Sequence, residues 1–92
     1  ADNASYYLGV CFYEKKRFEP AIQAFDQVIN LYPKGDKTPP SYYKKALTLG
    51  HLQKNAAAIA TLKALLTIFP DSQEAKMADQ ELTHLAAKSS GS

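Results

Sequence analysis

The same spacing of small, apolar and proline residues occurs twice along this chain. The first copy has Gly9, Phe12, Ala21, Phe25, Val28 and Pro33 at these positions, and the second has Ala46, Leu49, Ala58, Leu62, Leu65 and Pro70. Each position of the second copy lies 37 residues after its counterpart. Helical spacing that recurs with such a period and ends at proline predicts stacked helix-turn-helix units.

The apolar pattern predicts four helices in the two units. The first runs from about Asn3 to Lys15, with a buried stripe of Tyr7, Leu8, Cys11 and Phe12. The second has Pro20 in its first turn and buries Phe18, Ala21, Ile22, Phe25, Val28 and Ile29. The third runs from about Pro40 to Gln53, with Thr38 or Ser41 as its cap. A turn at Lys54-Asn55 leads into the fourth, which ends near Phe69.

A fifth helix is predicted after Pro70. Asp71 and Glu74 have the spacing of a capping box, and an apolar stripe of Ala75, Ala78, Leu82, Leu85 and Ala86 follows. Its other face is polar, which suits a helix that shields the end of a stack from water. The predicted fold is therefore an all-α solenoid of two units and a capping helix. One domain covers residues 1–88, with units at about 2–35 and 39–72, a capping helix at about 72–87, and a flexible tail at 89–92.

Small residues are expected where the two helices of each unit cross. Gly9 with Ala21, and Ala46 with Ala58, permit a close approach of the backbones. Phe12 with Phe25, and Leu49 with Leu62, then fill the remaining space between the helices.

Composition and spacing exclude several function classes. The chain is 46% hydrophobic and 22% charged with a net charge of +2, which is typical of a folded globular protein and gives no basic stripe for nucleic acid. No apolar run is long enough for direct membrane insertion. His51 and His84 lie on different predicted helices, and no metal-ligand spacing or glycine-rich loop occurs. We expect no cofactor, no metal and no enzymatic activity, and we expect Cys11 to be an inert thiol in the core.

These residues resemble the tetratricopeptide repeat (TPR). The first copy matches its consensus at Leu8-Gly9, Phe12, Ala21, Phe25 and Pro33, and departs from it at Ser5 and Val28; the second has Lys45 where the consensus has leucine. The resemblance implies a non-enzymatic protein-binding module whose groove is lined by the first helix of each unit. Mapped onto this chain, the groove positions are Asn3, Tyr6, Val10, Tyr13, Glu14, Pro40, Tyr43, Leu47, Gly50 and His51. Among them Tyr6, Tyr13 and Tyr43 are the expected partner anchors.

Three further features are similar to the C-terminal TPR domain of the Tol-Pal-associated cell-division coordinator family (YbgF/CpoB). They are the run from Ala4 to Gly9, the enlarged loop from Gly35 to Pro40, and the ending from Phe69 to Lys76. This resemblance implies a periplasmic location and binding to TolA and a peptidoglycan synthase. Outer-membrane assembly lipoproteins of the BamD type share similar repeats. A second function class stays open, in which the exposed face of the first helix makes a homo-oligomer or exchanges helices with another copy.

Overall fold

The computed structural model describes residues 2–91, and the side chains of residues 4–87. These residues form five α-helices and no strand, which confirms the predicted all-α solenoid. The helices are α1 (Asp2–Glu14), α2 (Phe18–Leu31), α3 (Thr38–His51), α4 (Asn55–Ile68) and α5 (Gln73–Gly91). Helix α5 is longer than predicted and continues through part of the segment that we expected to be a tail. Within the described part, no helix combines the length and apolarity that crossing a bilayer requires.

Each helix packs against the next one in the chain. Helices α1 and α2 form the first hairpin, α3 and α4 form the second, and α2 joins the two by packing on α3. Helix α5 packs on α4 and also touches α3, which in turn touches α1. Helices α1, α3 and α5 therefore lie side by side, and the surface that they form is called the inner face below.

The core consists mainly of the residues that the repeat marks. The fully buried large apolar side chains are Phe25, Val28, Leu62 and Leu65. Ala21, Ala46 and Ala58 are also buried at the helix crossings, as the spacing predicted.

Gly9 lets α1 lie directly on the ring of Phe25. A Cβ atom at Gly9 would stand 2.6 Å from Phe25 Cε1 and 2.8 Å from its Cδ1, which is too close for any side chain. The spacing predicted that Gly9 lies against Ala21 at the helix crossing. In the structure, the side chain that requires a glycine at position 9 is Phe25. In the second copy the same two positions hold Ala46 and Leu62. Alanine is larger than the glycine of the first copy, and leucine is smaller than its phenylalanine.

The two short turns within the hairpins have the same backbone geometry. Lys16 and Gln53, which are 37 residues apart, have φ values of 62° and 63°. In each turn a backbone N–H reaches back five residues: Arg17 donates to the Phe12 carbonyl at 2.8 Å and Lys54 to the Leu49 carbonyl at 2.9 Å. This is the hydrogen bonding of a Schellman motif. The left-handed residue is thus Gln53 and not Asn55, and the fourth helix begins at Asn55, as its apolar pattern predicts.

Two predicted helix caps are also wrong. No side chain caps α3; instead the Thr38 hydroxyl donates to the Tyr32 carbonyl and accepts the Gly35 N–H, which ties the enlarged loop to the end of α2. At α5 the cap is Ser72 and not the pair Asp71 and Glu74. The Ser72 hydroxyl accepts the Ala75 N–H at 3.0 Å, because it directly precedes the first helical residue.

The predicted buried stripe of α1 is only partly buried. Tyr7 is 54% exposed, Leu8 is 50% exposed, and Cys11 is exposed rather than part of the core. The corresponding position to Cys11 in the second unit is Thr48, which is completely buried. The two positions differ because α2 covers that side of α3, whereas no described helix covers the same side of α1.

Replacing the buried ring of Phe25 tests this packing. We expect Phe25→Ala to lower the free energy of unfolding by about 3–5 kcal/mol, because it removes a large buried side chain and leaves a cavity. Leu31→Ala is the matched control, since Leu31 is 61% exposed, and it should change stability by less than about 1 kcal/mol. Urea unfolding of the two variants measures both values, and equal effects would contradict the assignment of Phe25 to the core.

Candidate functional site

The predicted groove residues lie on the helices that form the inner face. From α1, the side chains of Tyr6, Val10 and Tyr13 are half-buried and Glu14 is exposed. From α3, Pro40, Tyr43, Leu47 and Gly50 are half-buried and His51 is exposed. The side chain of Asn3 lies outside the described residues. The assignment of these residues to partner binding stays a prediction.

An aromatic bridge of Tyr13, Phe18 and His51 joins α1, α2 and α3. The His51 ring stacks on Phe18 with its centroid 4.9 Å away and the planes 1° from parallel. The Tyr13 hydroxyl lies 3.0 Å from His51 Nε2, within hydrogen-bonding distance. Tyr13 also meets Phe18 edge-on at 5.9 Å. Two predicted groove residues therefore make an internal contact between the units.

Two lysines lie over the rings of tyrosines. Lys37 Nζ is 5.6 Å from the ring centroid of Tyr6 and 5.5 Å from that of Tyr7. Lys44 Nζ is 5.4 Å from the centroid of Tyr13. These distances are in the range of cation–π contacts, so the ring faces attract cations.

The tyrosine hydroxyls of the inner face experience a negative potential from α5. Burial raises the pKa of Tyr6, with smaller increases from Tyr7 and Glu74. Burial also raises the pKa of Tyr13 and of Tyr43, and in both cases the Glu81 carboxylate raises it further. Glu74 and Glu81 therefore act on the same surface as the three tyrosines.

Two clefts lie beside His51. One has a volume of about 510 Å³ and lies beside the aromatic bridge, where Glu14 and Lys16 complete its lining. The other has a volume of about 220 Å³ and opens between α3 and α5, next to Glu81 and His84. The described residues contain no group of three or more His, Cys, Asp or Glu side chains that could hold a metal ion.

Five residues of this surface were not predicted from the sequence to belong to it: Phe18, Lys37, Lys44, Glu74 and Glu81. Glu74 and Glu81 are seven residues apart, which is close to two helical turns, so helical spacing could have placed them on one face of α5. Lys37 and Lys44 have the same separation, but only the folded structure shows that they reach tyrosine rings on another helix.

The raised tyrosine pKa values predict a loss of stability at alkaline pH. The folded state holds these three phenolic protons more tightly, so the free energy of unfolding falls once the pH exceeds the pKa of unfolded tyrosine, about 10. Replacing Tyr6, Tyr13 and Tyr43 together by phenylalanine should weaken this fall. Urea unfolding of both proteins at about pH 9 and about pH 11 measures it. An unchanged pH dependence in the triple variant would contradict the assignment.

The comparison with protein families agrees with the repeat seen in the structure. The tetratricopeptide repeat family matches at residues 3–35 and 41–72, which together make up more than half of the chain. A comparison with curated proteins found no match. Tetratricopeptide repeats are generally non-catalytic scaffolds for protein–protein interaction. The first match ends within the loop before α3 and the second ends at the cap of α5, so the chain belongs to the tetratricopeptide repeat family, with one repeat in each helical hairpin.

Proposed function

We propose that this chain is a non-enzymatic binding module that holds a segment of a partner protein on its inner face. The observation that carries this proposal is the pair Tyr6 and Tyr43, which occupy the same position in the two repeats. Both rings are half-buried, and neither hydroxyl has a hydrogen-bond partner among the described residues. A fixed ring with a free polar end is the kind of anchor that dominates protein interfaces.

The contacts of the two rings explain why they are held in place. The Tyr6 ring lies 6.0 Å from the ring of Phe25, the largest side chain of the first hairpin's core. Tyr43 packs against the buried cluster of the second hairpin. Because both rings are already ordered, a partner loses little side-chain entropy when it contacts them.

We further propose that the partner is a TolA-like protein or a peptidoglycan synthase in the periplasm, and that the chain is part of a Tol-Pal-associated coordinator of cell division and envelope constriction. The support is the likeness of the run Ala4 to Gly9, the enlarged loop and the segment Phe69 to Lys76 to that family. The loop has a defined structural role, because Thr38 anchors it to the end of α2.

Titration with TolA tests the groove and the partner together. We expect Tyr6→Ala and Tyr43→Ala each to weaken binding by roughly tenfold or more, since truncating an interface anchor removes at least about 1–2 kcal/mol. Tyr32→Ala is the matched control, because Tyr32 follows α2 and lies off the inner face, and it should leave the affinity unchanged. Isothermal titration calorimetry measures these affinities. Unchanged affinity in both inner-face variants would refute the groove assignment.

Self-association is a second candidate function, which the uncovered side of α1 favours. Tyr7 and Leu8 are half exposed on that side, and Cys11 is exposed with them. At the corresponding place on α3, Lys45 forms a salt bridge of 2.6 Å with Asp26 of α2. Helix α1 has apolar side chains where α3 has this lysine, so contact with a second copy would remove apolar surface from water.

Light scattering over a range of protein concentrations tests self-association. If two copies meet through α1, the apparent mass should rise with concentration, and Leu8→Glu should prevent the rise by placing a charge in the contact. Gln23→Glu is the charge-matched control at an exposed position of α2. A single monomer mass at every concentration would exclude this function.

A further inference from the structure

The cleft between α3 and α5 is lined by both apolar and ionisable side chains. Leu47 of α3 and Leu85 of α5 line it together with Glu81, His51 and His84. Its volume is about 220 Å³. Since one water takes up about 30 Å³ of the liquid, the cleft has room for several waters or for one long side chain.

One position that lines the cleft holds very different side chains in the two repeats. Gly50 lines the cleft, and the residue at its position in the first repeat is Tyr13. The Tyr13 hydroxyl lies within hydrogen-bonding distance of His51 Nε2, and its ring contacts Phe18. An aromatic ring therefore occupies this position in the first repeat. A Cβ atom at Gly50 would meet nothing within 4 Å, so packing does not require glycine there.

The carboxylate of Glu81 forms no salt bridge among the described residues. The one salt bridge among the described residues joins Lys45 and Asp26, on α3 and α2. Glu81 is half-buried and acts on the hydroxyls of Tyr13 and Tyr43. A cationic ligand beside this carboxylate would make a charge-assisted hydrogen bond, which is stronger than a hydrogen bond between neutral groups.

The charges around the cleft favour a basic occupant over an acidic one. Lys37 and Lys44 lie over tyrosine rings of α1 and do not line the cleft, whereas Glu81 lines it and forms no ion pair among the described residues. An arginine fits better than a lysine for two reasons. Its aliphatic stem can pack on Leu47 and Leu85, which line the cleft, and its planar guanidinium donates two parallel hydrogen bonds to one carboxylate.

We infer that the partner segment places an arginine side chain in the cleft between α3 and α5, where its guanidinium donates to the Glu81 carboxylate. This inference rests on the proposed function, because it identifies the chemistry of the segment that the inner face binds. The tyrosines anchor the segment along α1 and α3, and the arginine fixes its position against α5.

Amide NMR titration with Nα-acetyl-arginine amide tests the cleft directly. We expect shifts at residues of α3 and α5 that line the cleft, and weaker binding of Nα-acetyl-lysine amide. Glu81→Gln should weaken arginine binding by roughly tenfold, the effect of losing a charge-assisted pair. Gly50→Tyr, which restores the residue of the first repeat, should abolish binding by filling the cleft. Asp79→Asn removes a charge from an exposed position of α5 and is the matched control, with no expected effect.

Three outcomes would overturn the inference: no shifts at the cleft, equal binding by Glu81→Gln and the parent chain, or equal losses in Glu81→Gln and Asp79→Asn. The result is separable from that of the proposed function. If the cleft fails these tests while Tyr6→Ala and Tyr43→Ala still weaken TolA binding, the arginine inference alone is wrong. If the cleft passes while both tyrosine variants bind TolA as before, the groove assignment fails and the cation site stands.

Discussion

The contact of Gly9 with the ring of Phe25 sets the distance between the first two helices. The ring is completely buried, and it stands where a Cβ atom of residue 9 would have to be. Helix α1 can lie on α2 only because residue 9 has no side chain. The second hairpin has Ala46 and Leu62 at these two positions, and both are buried. The first side chain is larger than in the first hairpin and the second is smaller, so both pairs are compatible with the same packing of helices.

The inner face follows from this packing. Once α1 and α3 are held on α2, Tyr6 and Tyr43 stand at equivalent places, and the Tyr13–His51 contact closes one end of the row. The two repeats differ at one position of this surface in particular. Where the first repeat has Tyr13, the second has Gly50, which lines the cleft beside Glu81 without placing a side chain there. The shared residues build the scaffold, and the residues that differ shape the surface that a partner meets.

Helical spacing and proline position were enough to predict five helices, their order and most of the core, because these depend on local periodicity. The errors in burial concern residues whose environment comes from elsewhere in the chain. Cys11 and Thr48 occupy the same repeat position, yet one is exposed and the other buried, because only α3 has a helix covering that side. Nor could the sequence show that Lys44 would lie over Tyr13, or that Glu81 of α5 would act on tyrosines of α1 and α3.

The fit between residue 9 and the ring of Phe25 holds the first hairpin together, and a double-mutant cycle in urea unfolding measures the coupling between these two residues. With Phe25 in place, Gly9→Ala should lower the free energy of unfolding by about 1–2 kcal/mol, since overpacking outweighs the gain in helix propensity. Combined with Phe25→Leu, which reproduces the pair of the second repeat, the same Gly9→Ala change should raise stability by up to about 1 kcal/mol. An effect of Gly9→Ala with the same sign and size in both backgrounds would contradict this coupling.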